Sequence, residues 1–294
     1  MRYRYKMAGI EICVDIPFEI HIQEESREFI ETWDDTAEEA DIYLKFQAVT
    51  ELPKITDQGK WVGCQYYEKY GERTRTFYCA EPHAAAYACI CWNVYGTVGE
   101  CQYLKGKENY LNYSKNIWNV LELESLLLRQ NGLLLHSSFI RYRGQAVLFS
   151  APCGTGKSTQ AELWEKYEGA DIINGDRSGL RYFSDGWKAF GLPYAGSSRI
   201  YRNESAPLKS IILLRQAEEN ILRKIRSIEA FPELYREITV HRWDRRFVER
   251  STELLLQLLE KVPVYLLECR PDQEAVEIVR SEIFGSNAEG KEEL

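Results

Sequence analysis

At 294 residues, of which 45% are hydrophobic and 28% charged, the chain is long enough to bury one large core or two smaller ones, and two domains are expected. Its formal charge of −8 gives no chain-wide basic field of the kind that grips a phosphate backbone, which argues against nucleic acid as a partner. The basic opening hexapeptide is not followed by an apolar run long enough for a signal core or a membrane span, so a cytoplasmic protein without a membrane partner is expected.

The eight cysteines are scattered and read as thiols in a reducing compartment rather than as a disulfide framework. His83 stands upstream of the pair Cys89-x-Cys91. The spacing within that pair is shorter than structural zinc sites use.

Residues 1–112 are rich in Tyr, Trp and Cys and alternate apolar with polar side chains, as at Phe18, Ile20 and Ile22 or at Ile42, Leu44, Phe46 and Ala48. That alternation predicts a β-rich N-terminal domain. The acidic stretch 24–39 is expected to hold a short helix, and 103–113, with Gly106 and several charges, to be a connecting loop. From Ser114 onward Ile117, Val120, Leu121 and Leu128 fall at helical spacing, which predicts a helix of about four turns stopping at Asn131-Gly132.

Two short apolar runs, 133–135 and 146–149, read as strands buried on both faces and joined by a polar turn over 141–144. A helix fits 159–166, and Ile172-Ile173 reads as the next buried strand, running into Asn174-Gly175-Asp176. Strand, loop, helix, strand is the order of an α/β domain. Apolar runs at 211–214 and 264–267 predict further strands. Helical spacing returns at Leu254, Leu255, Leu258, Leu259 and Val262, and again at Val276, Val279 and Ile283. Residues 113–294 are therefore expected to form one α/β domain.

The chemistry concentrates in Ala151-Pro152-Cys153-Gly154-Thr155-Gly156-Lys157-Ser158-Thr159. This run matches the phosphate-loop pattern G-x-x-x-x-G-K-[ST] everywhere but at its first position, where Ala151 replaces Gly. A bare Gly-Lys-Ser/Thr arises by chance in on the order of one chain in ten of this length, so the strand before the run and the helix after it carry the assignment. Glycines let successive N–H groups converge on an anion without a Cβ in the way, and the helix N-terminus adds partial positive charge. Gly154, Thr155, Gly156, Lys157, Ser158 and Thr159 are thus the candidate nucleotide-binding residues. Lys157 would reach the outer phosphates, and the Ser158 hydroxyl would ligate Mg²⁺.

Such a loop needs a carboxylate to hold or orient the metal. Asp176, just beyond the next strand, fits that place, and Asp171, before it, is the weaker candidate. An alternative for Asp176 is an ordinary turn residue in Asn-Gly-Asp. His136 follows the run 133–135, either as a hydrogen-bonded core side chain or as a group near the transferred phosphoryl. Cys153 makes the loop open to oxidation unless it is a passive small residue.

The run Leu133-Leu134-Leu135-His136-Ser137-Ser138, the segment 146–159 and Asn174-Gly175-Asp176 together resemble the HPr kinase/phosphorylase-like family, related in fold to phosphoenolpyruvate carboxykinase. The stretches 191–198 and 206–211 are similar to HPr-kinase-like proteins found beside bacterial peptide-modification genes. The resemblance covers residues 115–285 and implies a P-loop kinase domain preceded by the β-rich one. It also implies ATP and Mg²⁺ as cofactors, a hydroxyl acceptor such as serine, and an active site joining His136, Lys157, Ser158 and Asp176, with Asp176, His136 and Lys157 catalytic. Such enzymes carry two adjacent acids after the second strand, and here Gly175 stands in place of the first. Related enzymes assemble into homo-oligomers, although no coiled-coil heptad is visible here.

The expected acceptor is a protein or ribosomal peptide. Phosphorylation of a small hydroxylated metabolite, a nucleotide-binding module without turnover, and a carboxykinase remain alternatives. Arg199 and Arg202, with Lys209 behind them, are candidates to complete a basic clamp. Arg242, Arg246 and Arg250 would share a face if their segment is helical, either to dock an acidic partner or as a solvated face.

Overall fold

Strand alternation at Ile42, Leu44 and Phe46 sends three buried side chains to one face and the exposed Tyr43, Lys45 and Gln47 to the other. The same rule shapes a nine-stranded sheet made of β1 (Arg2–Met7), β2 (Ile10–Asp15), β3 (Ile30–Thr32), β4 (Ile42–Val49), β5 (Lys60–Val62), β6 (Gln65–Tyr70), β7 (Arg73–Cys79), β8 (Ala86–Trp92) and β9 (Val98–Leu104), in the order β3-β1-β2-β4-β9-β8-β7-β6-β5. The computed structural model describes residues 1–32, 39–194, 196 and 198–285. They divide into two units, Met1–Arg129 and Gln130–Leu294.

The division falls at Arg129/Gln130, not at the boundary near 112 expected from composition. Helices α1 (Ser114–Leu121) and α2 (Leu123–Arg129) belong with the first sheet because their apolar face is buried there. Trp118 meets Tyr5 edge-on at 4.7 Å and donates its Nε1–H to Ser26 Oγ at 3.0 Å. The single helix expected after Ser114 is interrupted at Glu122, which adopts a left-handed φ of 50°. Its buried carboxylate accepts a hydrogen bond from Thr76 Oγ1 at 2.9 Å, a tertiary contact that overrides the local helical pattern. Of the acidic stretch 24–39, Glu24–Phe29 is a 3-10 helix, and 33–38 lie outside the described residues.

The second unit contains β10 (Gly132–Tyr142), β11 (Gln145–Ser150), α3 (Lys157–Glu168), β12 (Asp171–Asn174), β13 (Arg177–Phe183), β14 (Gly186–Gly191), β15 (Ser205–Gln216), β16 (Ile221–Lys224), α4 (Ser227–Glu237), α5 (Arg245–Lys261), β17 (Val264–Cys269) and α6 (Gln273–Phe284). It is a mixed α/β unit. The two-residue turn Arg143-Gly144, both at positive φ, joins β10 to β11 as a primed hairpin turn.

β10 and β15 are long enough to change partners along their length. β10 pairs with β13 over 132–136 and with β11 over 137–142. β15 pairs with β14 at its start, and then lies parallel to both β11 and β17. Ile212 and Leu214 of β15, with Leu267 of β17, turn toward α3 and α6 and form a core with Phe149, Trp164, Val276 and Val279. Leu213 and Leu266 point to the opposite face, the side of α4. Among the described residues no helix is long and apolar enough to cross a membrane.

Candidate functional site

The glycine-rich run occupies the place its pattern predicts, between the end of β11 at Ser150 and the start of α3 at Lys157. Gly154 and Gly156 take φ values of 79° and 115°, a region open to glycine and strained for other residues. The first helical bond is donated by Gln160 N–H to Gly156 O at 2.9 Å, so the amides of residues 157–159 precede the hydrogen-bond ladder. Gln216, at the end of β15, donates to the carbonyls of Gly154 and Thr155 at 3.4 Å each, tying the loop to the central strand. Cys153 is exposed on it.

Lys157 is buried at 7% exposure, and its ammonium donates to two carbonyls of its own loop, Ala151 O at 2.7 Å and Pro152 O at 3.2 Å. Burial pushes its pKa down, while the charges of Glu237, Cys153 and Asp176 pull the other way. This cation has been taken out of water with no carboxylate directly on it among the described residues. Ser158 is half-buried and Thr159 exposed.

Asp176 sits in the turn between β12 and β13, and a single buried side chain builds that turn. Asn174 Oδ1 accepts from the N–H groups of Asp176 and Arg177 at 2.8 and 2.9 Å, while its Nδ2 donates to Leu192 O and Tyr194 O at 2.8 and 3.0 Å. Asp176 O in turn accepts from Ser137 N–H of β10 at 3.0 Å. Asp176 is thus a turn residue in Asn-Gly-Asp, as one of the two expectations for it had it. The backbone of Gly196 packs so closely on this carboxylate that a Cβ there would lie 2.8 Å from Asp176 Cβ. Ala195 and Ser197, in the same stretch, lie outside the described residues. At Gly175, where the resemblance implied an acid, a Cβ would lie 2.0 Å from Ser198 Oγ.

His136 is the last residue of β10 to pair with β13, opposite Arg177. Its Nε2 lies 3.9 Å from Asp176 Oδ1, and its Nδ1 is 2.8 Å from Glu237 Oε2. Glu237 ends α4, and the chain after it is fixed to β10 by a bridge between Ile238 and Leu135 and by Thr239 N–H donating to Leu134 O at 2.9 Å. On the other side of Asp176, Arg177 Nε stands 3.6 Å from Oδ2, and the guanidinium lies over the Tyr194 ring at 5.5 Å.

A cleft of about 450 Å³ opens between the loop residues 150–155, the ends of β15 and β17, and Glu233 and Glu237 of α4. Lys157, His136 and Asp176 belong to the same unit as this cleft but are not among the residues that line it. The other candidates separate from them. Asp171 and Arg202 belong to a surface ion-pair group with Arg141 and Glu204. Lys209, beside Phe284 near the start of β15, is at the opposite end of the strand from the loop, since Leu208 pairs with Ala146 and Leu213 with Ser150. Arg199 is exposed with a left-handed φ of 53°.

Arg242 precedes α5, because Asp244 caps that helix by accepting from Arg246 N–H at 2.9 Å, so Arg242 shares no helix face with Arg246 and Arg250. The His83 ring lies tilted against Trp61, with centroids 4.6 Å apart. Burial pushes the Cys89 thiol up to about 12.

Sequence reasoning missed Glu237, Arg177, Arg215 and Gln216. Glu237 meets His136 across 101 residues of chain, and no local pattern in α4 sets it apart. Arg215 at the cleft is paired with Glu268 at 3.3 Å. A polar pair closing the apolar run 211–214 at the loop's end of the sheet was the available signal for Arg215 and Gln216.

No family model matches the chain, and no curated protein sequence matches it. Among solved structures it is similar to the Hpr(Ser) kinase/phosphatase from Coxiella burnetii, at 13% identity over 52% of this chain and 93% of that one, with a TM-score of 0.33. A likeness of that size assigns no activity.

Proposed function

We propose that this chain binds a nucleoside triphosphate with Mg²⁺ on the loop 151–159 and transfers the terminal phosphoryl group to a hydroxyl, with serine in a protein or peptide as the expected acceptor. The observation that carries the reading is Lys157, a buried ammonium at the head of a glycine-rich turn whose only direct partners among the described residues are main-chain carbonyls. An anion delivered to that turn would supply the countercharge that burial leaves wanting.

A nucleotide fits the chemistry of the donor set. The loop offers amides ahead of the helical ladder together with a cation. The oxygens available to Mg²⁺, Ser158 Oγ and the Asp176 carboxylate, suit an ion that is commonly held by one or two carboxylates plus phosphates and water. When bound, the metal-nucleotide supplies the phosphoryl group and a leaving group already neutralised by the metal.

The chain's own part is positioning. Lys157 holds the phosphate charge, and the loop amides fix its place. Asp176 and His136, 3.9 Å apart, present an oxygen and a nitrogen that can orient an acceptor hydroxyl and take its proton.

The test is calorimetric titration with ATP and Mg²⁺ of the wild type and Lys157→Ala, followed by transfer of labelled phosphate to serine peptides. Binding that is lost in the variant supports the reading, and failure of the wild type to bind removes it in favour of a structural or partner-binding role. A nucleotide module without turnover is the second reading, favoured by the crowding of Gly175 against Ser198, which leaves no room for a second acid. Turnover that disappears in Asp176→Asn would exclude it.

A further inference from the structure

The backbone ties between the end of α4 and β10 place the Glu237 carboxylate on the ring nitrogen of His136 that faces away from Asp176. Oε2 lies 2.8 Å from Nδ1, within hydrogen-bond range for a charge-assisted contact. The carboxylate is largely buried, with 12% of its side chain exposed. A carboxylate in this position can only accept, so Nδ1 must carry a proton. In the neutral ring the lone pair is then on Nε2. That atom and Asp176 Oδ1, 3.9 Å apart, are two acceptors too distant to bond each other and near enough to be offered the same hydroxyl.

We infer that Glu237 is a positioning residue that fixes the tautomer and ring plane of His136, so that Nε2 rather than Nδ1 faces the acceptor hydroxyl beside Asp176. The inference rests on the phosphotransfer reading for its purpose, though not for its geometry. The proton leaves the hydroxyl, its electron pair stays on oxygen, and Nε2 takes the proton. The resulting imidazolium is held against the Glu237 carboxylate, and no further reactant is needed. Backbone geometry supports the assignment independently: the Leu135–Ile238 bridge and the Thr239-to-Leu134 bond bring Glu237 to this strand before any side-chain contact is made.

The test uses the full chain labelled with ¹⁵N-histidine, at a fixed pH well above the ordinary imidazole range. Only four histidines are present, and His136→Gln assigns the relevant signal. Long-range proton–nitrogen spectra of the wild type should show Nδ1 protonated and Nε2 bare. Glu237→Ala should move the ring toward the Nε2–H form, while Glu237→Gln, whose amide oxygen can still accept from Nδ1–H, should keep the original form. Unchanged signals from the other three histidines show that each variant is folded.

A wild-type ring protonated on Nε2, or an Ala variant that keeps Nδ1–H, overturns the inference. In transfer assays Glu237→Ala should lower kcat on the order of 10²-fold, the lower range for a positioned acid–base group, and Glu237→Gln, which removes the same charge but keeps the acceptor, should lower it less. If nucleotide does not bind at all, the phosphotransfer reading fails while the spectra still decide the role of Glu237.

Discussion

Replacing Asn174 by alanine separates the scaffold of the site from its chemistry. Asn174 is fully buried and makes four hydrogen bonds, two accepted from the amides of Asp176 and Arg177 and two donated to the carbonyls of Leu192 and Tyr194. At roughly 1 kcal/mol net each, their loss amounts to about 4 kcal/mol. Two of the four, about 2 kcal/mol, hold the Asp176 and Arg177 amides, and since about 1.4 kcal/mol is a factor of ten these amides should exchange on the order of 30-fold faster with deuterium in the variant. Hydrogen-exchange mass spectrometry over peptides spanning β12 to β13 reads this locally.

Asn174→Asp provides the contrast. Its carboxylate still accepts from both amides, which keep their protection, but it cannot donate to Leu192 and Tyr194, so the segment after β14 loosens. Amides of Asp176 and Arg177 that stay equally protected in Asn174→Ala would refute the idea that this one side chain holds the turn that carries Asp176.

Two further outcomes follow from crowding and from burial. Gly175→Asp should lower the thermal midpoint, because its Cβ meets Ser198 at 2.0 Å and overpacking of this kind costs roughly 1–3 kcal/mol. Ser198→Gly in the same chain should recover most of the loss, and a single variant that melts like the wild type would contradict the clash. For Lys157 the sign is set by burial, which lowers the folded pKa. Between that value and the ordinary lysine value the unfolded chain binds more protons than the folded one, so this group makes stability rise with pH across that window. Lys157→Met should remove this contribution. Thermal midpoints of variant and wild type that run parallel through the alkaline range would show that the lysine is not desolvated.

Much of the second unit was readable because its apolar runs are continuous. Residues 133–135, 146–149, 172–173, 211–214 and 264–267 all fall in strands, as expected where both faces of a sheet are covered. The strands that escaped notice carry weaker patterns: Arg177–Phe183 mixes Arg, Ser and Gly with its apolar residues, and Ile221–Lys224 is an edge strand largely exposed to solvent. Helix α4 carries Pro232 inside it, which local rules read as a break. Of the site, Lys157 and the loop were visible because a phosphate loop is a contiguous motif, and Asp176 because it follows a strand. Glu237 was not, since its role exists only through a partner on another element.

The change of partners along β10 has a consequence for how the second unit comes apart. His136 is the final residue zipped to β13, Ser137 is the first zipped to β11, and β12 takes up the β13 register again from Phe139. Beyond the histidine the strand is therefore paired on both edges. Peeling β13 away disturbs the Arg177 end of the turn that carries Asp176, and peeling β11 away disturbs the root of the glycine-rich loop. Order at the site is thereby coupled to the cooperative unfolding of the unit.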